Sequence, residues 1–270
     1  MTNHFPEGEQ TEILAAQLLD YAAKAGAGDA EVYQSTSLSR PVFFEANRLK
    51  QLELAESQGT ALRVWRDGCP GLAVAYGQID PQALVEKAIA LSRLNPPETA
   101  ELNQGHTHRF PDLGEEVAVE ELVKLGRGAI ARLRELYPEV LCSAELECER
   151  ETTTLTNSRG LHCQYTDITL NGFLGVEWVR GEDFLGIYES REVRGELSLV
   201  SLVQAILTRL DWAEHNIRAP GGRVPIVFTN KAASLLWNPV CEATNGKRIL
   251  EGSSPWTELQ GECVVADSLT

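Results

Sequence analysis

Three groups of residues come nearest to chemistry by type and spacing: His106-Thr107-His108, the alternating Glu145, Glu147, Glu149 and Glu151, and the adjacent pair Cys241-Glu242. On a strand the two rings of a His-x-His share a face, as metal ligands often do. No acidic or cysteine ligand lies at a companion spacing, so these two read as surface histidines. The four glutamates would stand on one strand face as an acidic stripe able to attract basic peptides, against the plainer reading of a solvated sheet face. Cys241 and Glu242 would point about 100° apart on a helix and could not chelate one ion together. They read as a packed thiol and a solvated carboxylate.

Other catalytic patterns are missing. The chain has no Gly-x-Ser-x-Gly, no phosphate-binding loop, no dinucleotide-binding glycine fingerprint and no His-Glu-x-x-His, and no histidine follows His215. Cysteines at 69, 142, 148, 163, 241 and 263 form no Cys-x-x-Cys and no zinc-finger spacing. They read as reduced and mostly buried, with Cys142 and Cys148 on one face of a strand. No catalytic or metal-binding residue is assigned. Asn157 and Arg159, in the turn Asn157-Ser158-Arg159-Gly160, are the polar pair selected as substrate-binding candidates, with turn formation the competing role for Asn157.

Charge narrows the partners. The chain carries 24 Lys+Arg against 39 Asp+Glu, a net −15, and such a surface repels phosphate backbones. The richest basic stretch, Arg127 to Arg134, reads as a solvated helix face, so no nucleic acid is expected. No apolar run reaches the roughly 18 residues that a membrane span needs. Met1 to Glu7 has neither a basic nor an apolar signal segment, which places the expectation in the cytoplasm.

The elements that must position these residues follow from periodicity. A helix capped at Thr11 carries Ile13, Leu14, Leu18, Tyr21, Ala22 and Ala25 at helical spacing and stops at Gly26. Strands follow at Ala30–Tyr33, Pro41–Glu45 and Leu49–Leu54, and a hairpin joins Thr60–Arg66 to Leu72–Tyr76 through Asp67-Gly68. Pro81 opens a second helix that Asn95-Pro96-Pro97 stops. The plan then repeats: a helix from Val119 to Leu136, strands at Val140–Glu149, Thr152–Thr156, Leu161–Thr166, Ile168–Val179 and Phe184–Glu189, and a helix from Ser198 to Trp212. This is α+β, a duplicated helix plus antiparallel-sheet domain over residues 1–219. Pro220-Gly221-Gly222 reads as a linker. Residues 220–270, with strands at Val224–Phe228 and near Gly261–Ala266 and a helix at Lys231–Thr244, read as the start of a β-rich second domain that continues past Asp267-Ser268-Leu269-Thr270.

Several pieces occur together, in order. They are Gly28-Asp29-Ala30-Glu31-Val32-Tyr33, Gly59-Thr60-Ala61-Leu62-Arg63-Val64 with Asp67-Gly68 and Gly71-Leu72-Ala73, Thr156 to Gly160, Pro225-Ile226-Val227-Phe228 and Gly252-Ser253-Ser254. The ordered set resembles the TldD/PmbA family, historically called modulators of DNA gyrase. The resemblance implies a two-subunit metallopeptidase acting on unfolded or extended peptides. Its catalytic subunit carries His-Glu-x-x-x-His on the helix after the second domain's first strand. The corresponding stretch here, Ser234 to Ala243, has Trp237 and Asn238 at the first His-Glu positions, Glu242 near the second His, and Pro239 between. The expectation is therefore a PmbA/TldE-like, non-catalytic subunit. Its partner would be a TldD-like catalytic subunit, which would hold the divalent metal, or a second copy of itself. Two alternatives stay open: a divergent metallopeptidase with other ligands, and an orphan peptide-binding or protein-interaction domain.

Overall fold

The computed structural model describes residues 9–215, 217–218 and 220–266. The expectations resting on Met1–Glu7 and on Asp267–Thr270 lie outside them. The chain divides into two compact units, residues 1–215 and 216–270.

In the first unit the order is α1 (Glu9–Lys24), β1 (Asp29–Ser39), β2 (Val42–Glu45), β3 (Arg48–Leu52), β4 (Ala55–Arg66), β5 (Cys69–Tyr76) and α2 (Pro81–Ser92). Then come β6 (Thr107–Arg109), α3 (Val119–Leu136), β7 (Leu141–Asn157), β8 (His162–Arg180), β9 (Asp183–Val193) and α4 (Val200–Glu214). Local signals set most of these ends. Asp80 caps α2, its Oδ1 accepting from Gln82 N at 2.9 Å and Ala83 N at 3.3 Å, with Pro81 in the first turn. Asp67 and Gly68 both take positive φ, 54° and 77°, the geometry that a two-residue hairpin turn needs between Arg66 and Cys69. Ala46 and Asn47 (φ 47° and 70°) make a second such turn between β2 and β3.

The strands join into one nine-stranded sheet among the described residues, not two separate ones. Strand β7 is its spine. One edge pairs along its length with β8; the other pairs with β1 over Glu149–Asn157 and with β2 over Ala144–Leu146, in the same register. Strands β1 and β2 are thus one line broken at Pro41, which has no N–H to donate. The expected break between Glu149 and Thr152 does not occur, because both neighbours of β7 run across it. Likewise β8 passes through Asp167 uninterrupted. Thr11 lies inside α1, which begins at Glu9, and does not cap it.

Even-numbered residues of β1, β4, β7 and β8 face the helices. Val32, Leu62 and Val64 pack with Leu18, Ala22, Val85 and Ala88 of α1 and α2. Cys142, Ala144, Leu146, Leu170 and Leu174 pack with Leu122, Leu133, Ile206 and Leu210 of α3 and α4. A buried polar seam of Thr60, Gln34 and Thr154, paired in register across β4, β1 and β7, lies between the two clusters. Burial pushes the Cys142 thiol up to about 11. Cys142 and Cys148 share the buried face as expected, whereas Cys241 and Cys263 are exposed. All four helices of the first unit therefore cover one side, and none of that unit's described helices lies on the odd-numbered side of the sheet.

The second unit holds α5 (Ser234–Ala243), α6 (Gly246–Leu250) and a 3₁₀ turn at Thr257–Leu259. Residues 224–228 and 261–266 are irregular, not strands. A strand needs a neighbour for its backbone groups, and this unit offers none among the described residues. Helix α5 runs through Pro239, which forgoes one backbone bond. Among the described residues no helix is long and apolar enough to cross a membrane.

Candidate functional site

Strand alternation places Glu31, Tyr33 and Ser35 of β1, Arg63 and Trp65 of β4, and the odd residues Glu145 to Asn157 of β7 on the helix-free side. At one end of this face lies a polar cleft of about 340 Å³, bounded by Glu31, Arg63, Trp65, Asn157 and residues 98–103. The Arg63 guanidinium stacks 5.0 Å from the Trp65 ring centre and donates through Nε to Glu31 at 2.8 Å. Trp65 Nε1 donates to Glu98 at 2.8 Å and ties the loop down.

Asn157 closes the floor of this cleft and is 3% exposed. Its Oδ1 accepts from Arg159 N (2.9 Å) and Leu161 N (3.0 Å), and its Nδ2 donates to Asn103 O (3.0 Å). The amide is committed to holding the turn, as an Asx residue does. Arg159 grips Asp29 with two hydrogen bonds, Nε–Oδ1 at 2.5 Å and Nη2–Oδ2 at 2.8 Å. Those bonds hold the Asp29 carboxyl below its ordinary value. This contribution to stability is present above the usual Asp range and is lost as pH falls through the depressed folded value. Ser158 completes the staple: Ala30 N donates to its Oγ (3.0 Å), and its own N donates to Ala30 O (2.8 Å). Sequence reading selected Asn157 and Arg159 but not Asp29, 130 positions away.

The acidic stripe is real: Glu145, Glu147, Glu149 and Glu151 share the helix-free face. Serines of β1 meet three of them. Ser35 Oγ donates to Glu151 at 2.5 Å, Ser39 to Glu147, and Ser37 to Glu149. The alternation of Ser35, Ser37 and Ser39 was a visible strand signal beyond Tyr33. Burial, then the charges of Glu147 and Glu151, push the Glu149 carboxyl above its ordinary value, and the Ser37 hydrogen bond only partly offsets this. A raised folded value means the ionised form is disfavoured in the fold; stability from this group is greatest below the ordinary Glu range and is lost as pH rises through the folded value. Glu149→Gln is therefore expected to raise Tm at neutral pH and to give no gain in acid below the ordinary Glu range, as calorimetry at both pH values would show.

Strand β5 closes the sheet on one side. Gly77 N donates inward to Gln58 O (2.9 Å), so by antiparallel alternation Leu72, Val74 and Tyr76 turn their backbone groups outward. Asn95 Nδ2 binds the outward Pro70 carbonyl at 2.8 Å, in agreement with that alternation. Leu72, Val74 and Tyr76 are also exposed apolar side chains, and β5 has no charged residue. Such an edge is a template for another extended chain.

A metal site is not assembled where the resemblance would put one. On α5, Trp237, Asn238 and Cys241 are solvent-exposed, and Glu242 pairs with Arg248 at 2.6 Å. These donors do not fit a His-Glu-x-x-x-His site. His106 and His108 stand exposed around β6, with His108 edge-on to Phe110 at 4.2 Å. Among the described residues no three His, Cys, Asp or Glu side chains converge as a metal would require.

Residues 30–92 match the profile of PmbA/TldA metallopeptidase domain 1. No curated protein matches the sequence significantly. Among solved structures, TldE from Thermococcus kodakarensis superposes with a TM-score of 0.75 at 19% identity, covering 90% of this chain and 57% of that one. A proposed modulator of a DNA gyrase from Thermotoga maritima gives 0.74 at 14%, covering 91% and 58%. A proposed modulator of DNA gyrase from Bacteroides thetaiotaomicron gives 0.73 at 16%, covering 90% and 59%. The chain thus spans less than two thirds of these proteins' length while sharing their α+β fold. Residues 30–92 thus resemble the first domain of the PmbA/TldD family, set in a fold that the chain shares with TldE and with the two proposed gyrase modulators.

Proposed function

We propose that this chain is a non-catalytic, TldE-like subunit of a TldD/TldE-type peptidase assembly in the cytoplasm, and that it presents extended peptide by strand addition at β5. The observation that carries the reading is the donor set of α5, which has tryptophan, asparagine and proline where a catalytic member needs imidazoles and a general base. The likeness to TldE supports it. In this reading a TldD-like partner, or a second copy in a homodimer, completes the assembly; the divalent metal and the water it activates belong to the catalytic partner. This chain's own part is to hold the substrate backbone straight along Leu72, Val74 and Tyr76, so that successive peptide bonds are offered in one register. Its strongly acidic surface disfavours nucleic acid.

The test is cleavage of an unstructured peptide by this protein, by a His-Glu-x-x-x-His paralogue from the same cell, and by their equimolar mixture. Activity confined to, or much raised in, the mixture is expected. Val74→Pro, which removes an outward donor from β5, should cut the mixture's kcat/KM by about 5- to 10-fold, the worth of one hydrogen bond. Cleavage by this protein alone, or no change on mixing, would defeat the reading.

A further inference from the structure

The glutamate row on β7 runs into a concavity of about 320 Å³ beside the β2–β3 hairpin. Phe43 and Phe173 wall it, and Glu45, Glu53 and Glu145 stand at its rim. Lys50 neutralises Glu45, and Gln51 donates to Glu53. Glu145 has no ion pair among the described residues, and neither have Glu147, Glu149, Glu151 and Glu192, the last facing Asn171 across β8 and β9. The contrast on the same face is informative: Glu31 holds Arg63, and Asp167 holds Arg194 at 2.7 Å.

A second observation points to a ligand. Thr153, next to Glu151 along this face and opposite Ser35, is 3% exposed, and its hydroxyl has no hydrogen-bond partner among the described residues. An unsatisfied buried hydroxyl beside an unneutralised acidic row leaves both hydrogen-bonding capacity and charge unspent. Alternate residues of a strand stand roughly 6.7 Å apart, and so do alternate residues of an extended peptide laid along it. Serines 35, 37 and 39 hold three of the carboxylates in that spacing.

We infer that this face binds an extended peptide segment bearing lysine or arginine at alternate positions, with one cationic side chain seated between Phe43 and Phe173 against Glu145. The aromatic walls take the aliphatic stem and the cation, and the rim carboxylate takes the charge. The repulsion that raises the protonation range of Glu149 is relieved when the cations arrive. The inference rests on the peptide-presenting reading only for the source of the segment; binding itself is a property of this chain.

The probe is a fluorescein-labelled peptide of alternating lysine and serine, read by fluorescence anisotropy against this protein. Comparison peptides have glycine in place of lysine, or the same lysines in one block. The alternating peptide is expected to bind best. The combined variant Glu145→Gln, Glu147→Gln and Glu149→Gln should weaken it by about 10-fold or more, as the loss of several exposed ion pairs predicts. Phe173→Leu, which keeps the volume apolar but removes the ring, should weaken it less. Equal binding by the blocked peptide would overturn the register, and an unaltered affinity in the glutamate variant would overturn the site. Binding of the glycine peptide that responds to Val74→Pro and not to the glutamates would sustain the strand-addition reading while removing this one.

Discussion

Gly71→Ala is expected to lower the stability of the first unit by about 2–3 kcal/mol, the range for overpacking a tight contact. A Cβ at Gly71 would collide with the Ala88 carbonyl and lie 2.6 Å from Ser92 N and 2.8 Å from Ser92 Cβ, all on α2. Backbone atoms of a helix cannot rotate aside as a side-chain tip can, so α2 must lift from β5. That movement would break the buried contacts of Val85 and Ala88 and draw Asn95 off the Pro70 carbonyl. In thermal melts the loss corresponds to roughly 5–10 °C. Gly59→Ala is the control, because its Cβ would meet only the Tyr76 ring at an ordinary 3.6 Å. Equal melting of the two variants would mean that α2 does not sit as close to β5 as described.

Asn157→Ala is expected to cost about 3 kcal/mol, from three lost hydrogen bonds at a buried position. Arg159 N, Leu161 N and Asn103 O would each lose their partner. The turn would loosen, and with it the clamp of Arg159 on Asp29 and the polar cleft that residues 98–103 enclose. Asn157→Asp keeps both acceptor bonds but sets a carboxylate against the Asn103 carbonyl, so an intermediate loss is expected. Urea titration gives the stabilities, and peptide binding by the folded variant separates roles. A structural Asn157 lowers the midpoint and leaves edge binding largely intact. An unchanged midpoint with lost peptide binding would instead make it a ligand contact.

These two positions show how legibility depended on range. Asp67-Gly68, the helix start at Pro81 and the helix at Val119–Leu136 were readable because a positive φ, a proline ring or a 3.6-residue period acts within a few neighbours. The two strands expected at Val140–Glu149 and Thr152–Thr156 were misdivided, since charge and threonine runs resemble a break. Two long neighbours carry β7 straight through them. The strand expected at Val224–Phe228 failed for the opposite reason: its apolar run is strand-like, but the described residues of its own unit offer no edge to pair with it. Asn157 was visible as a turn former, whereas its bond to Asn103 and the Asp29–Arg159 staple join segments far apart in sequence.

The sequence by itself determined the element types of the first unit, the shared face of four glutamates, the family resemblance and the missing imidazoles of α5. Each is a matter of composition or of spacing within one element. Only the tertiary structure decided that two helix-and-strand repeats fuse through β7 into one sheet. It alone placed every helix of the first unit on one side, left β5 at an edge, and set three serines against three glutamates. Strand order and cross-strand pairing come from closing long loops and burying one face, a balance summed over the whole chain that no local pattern encodes.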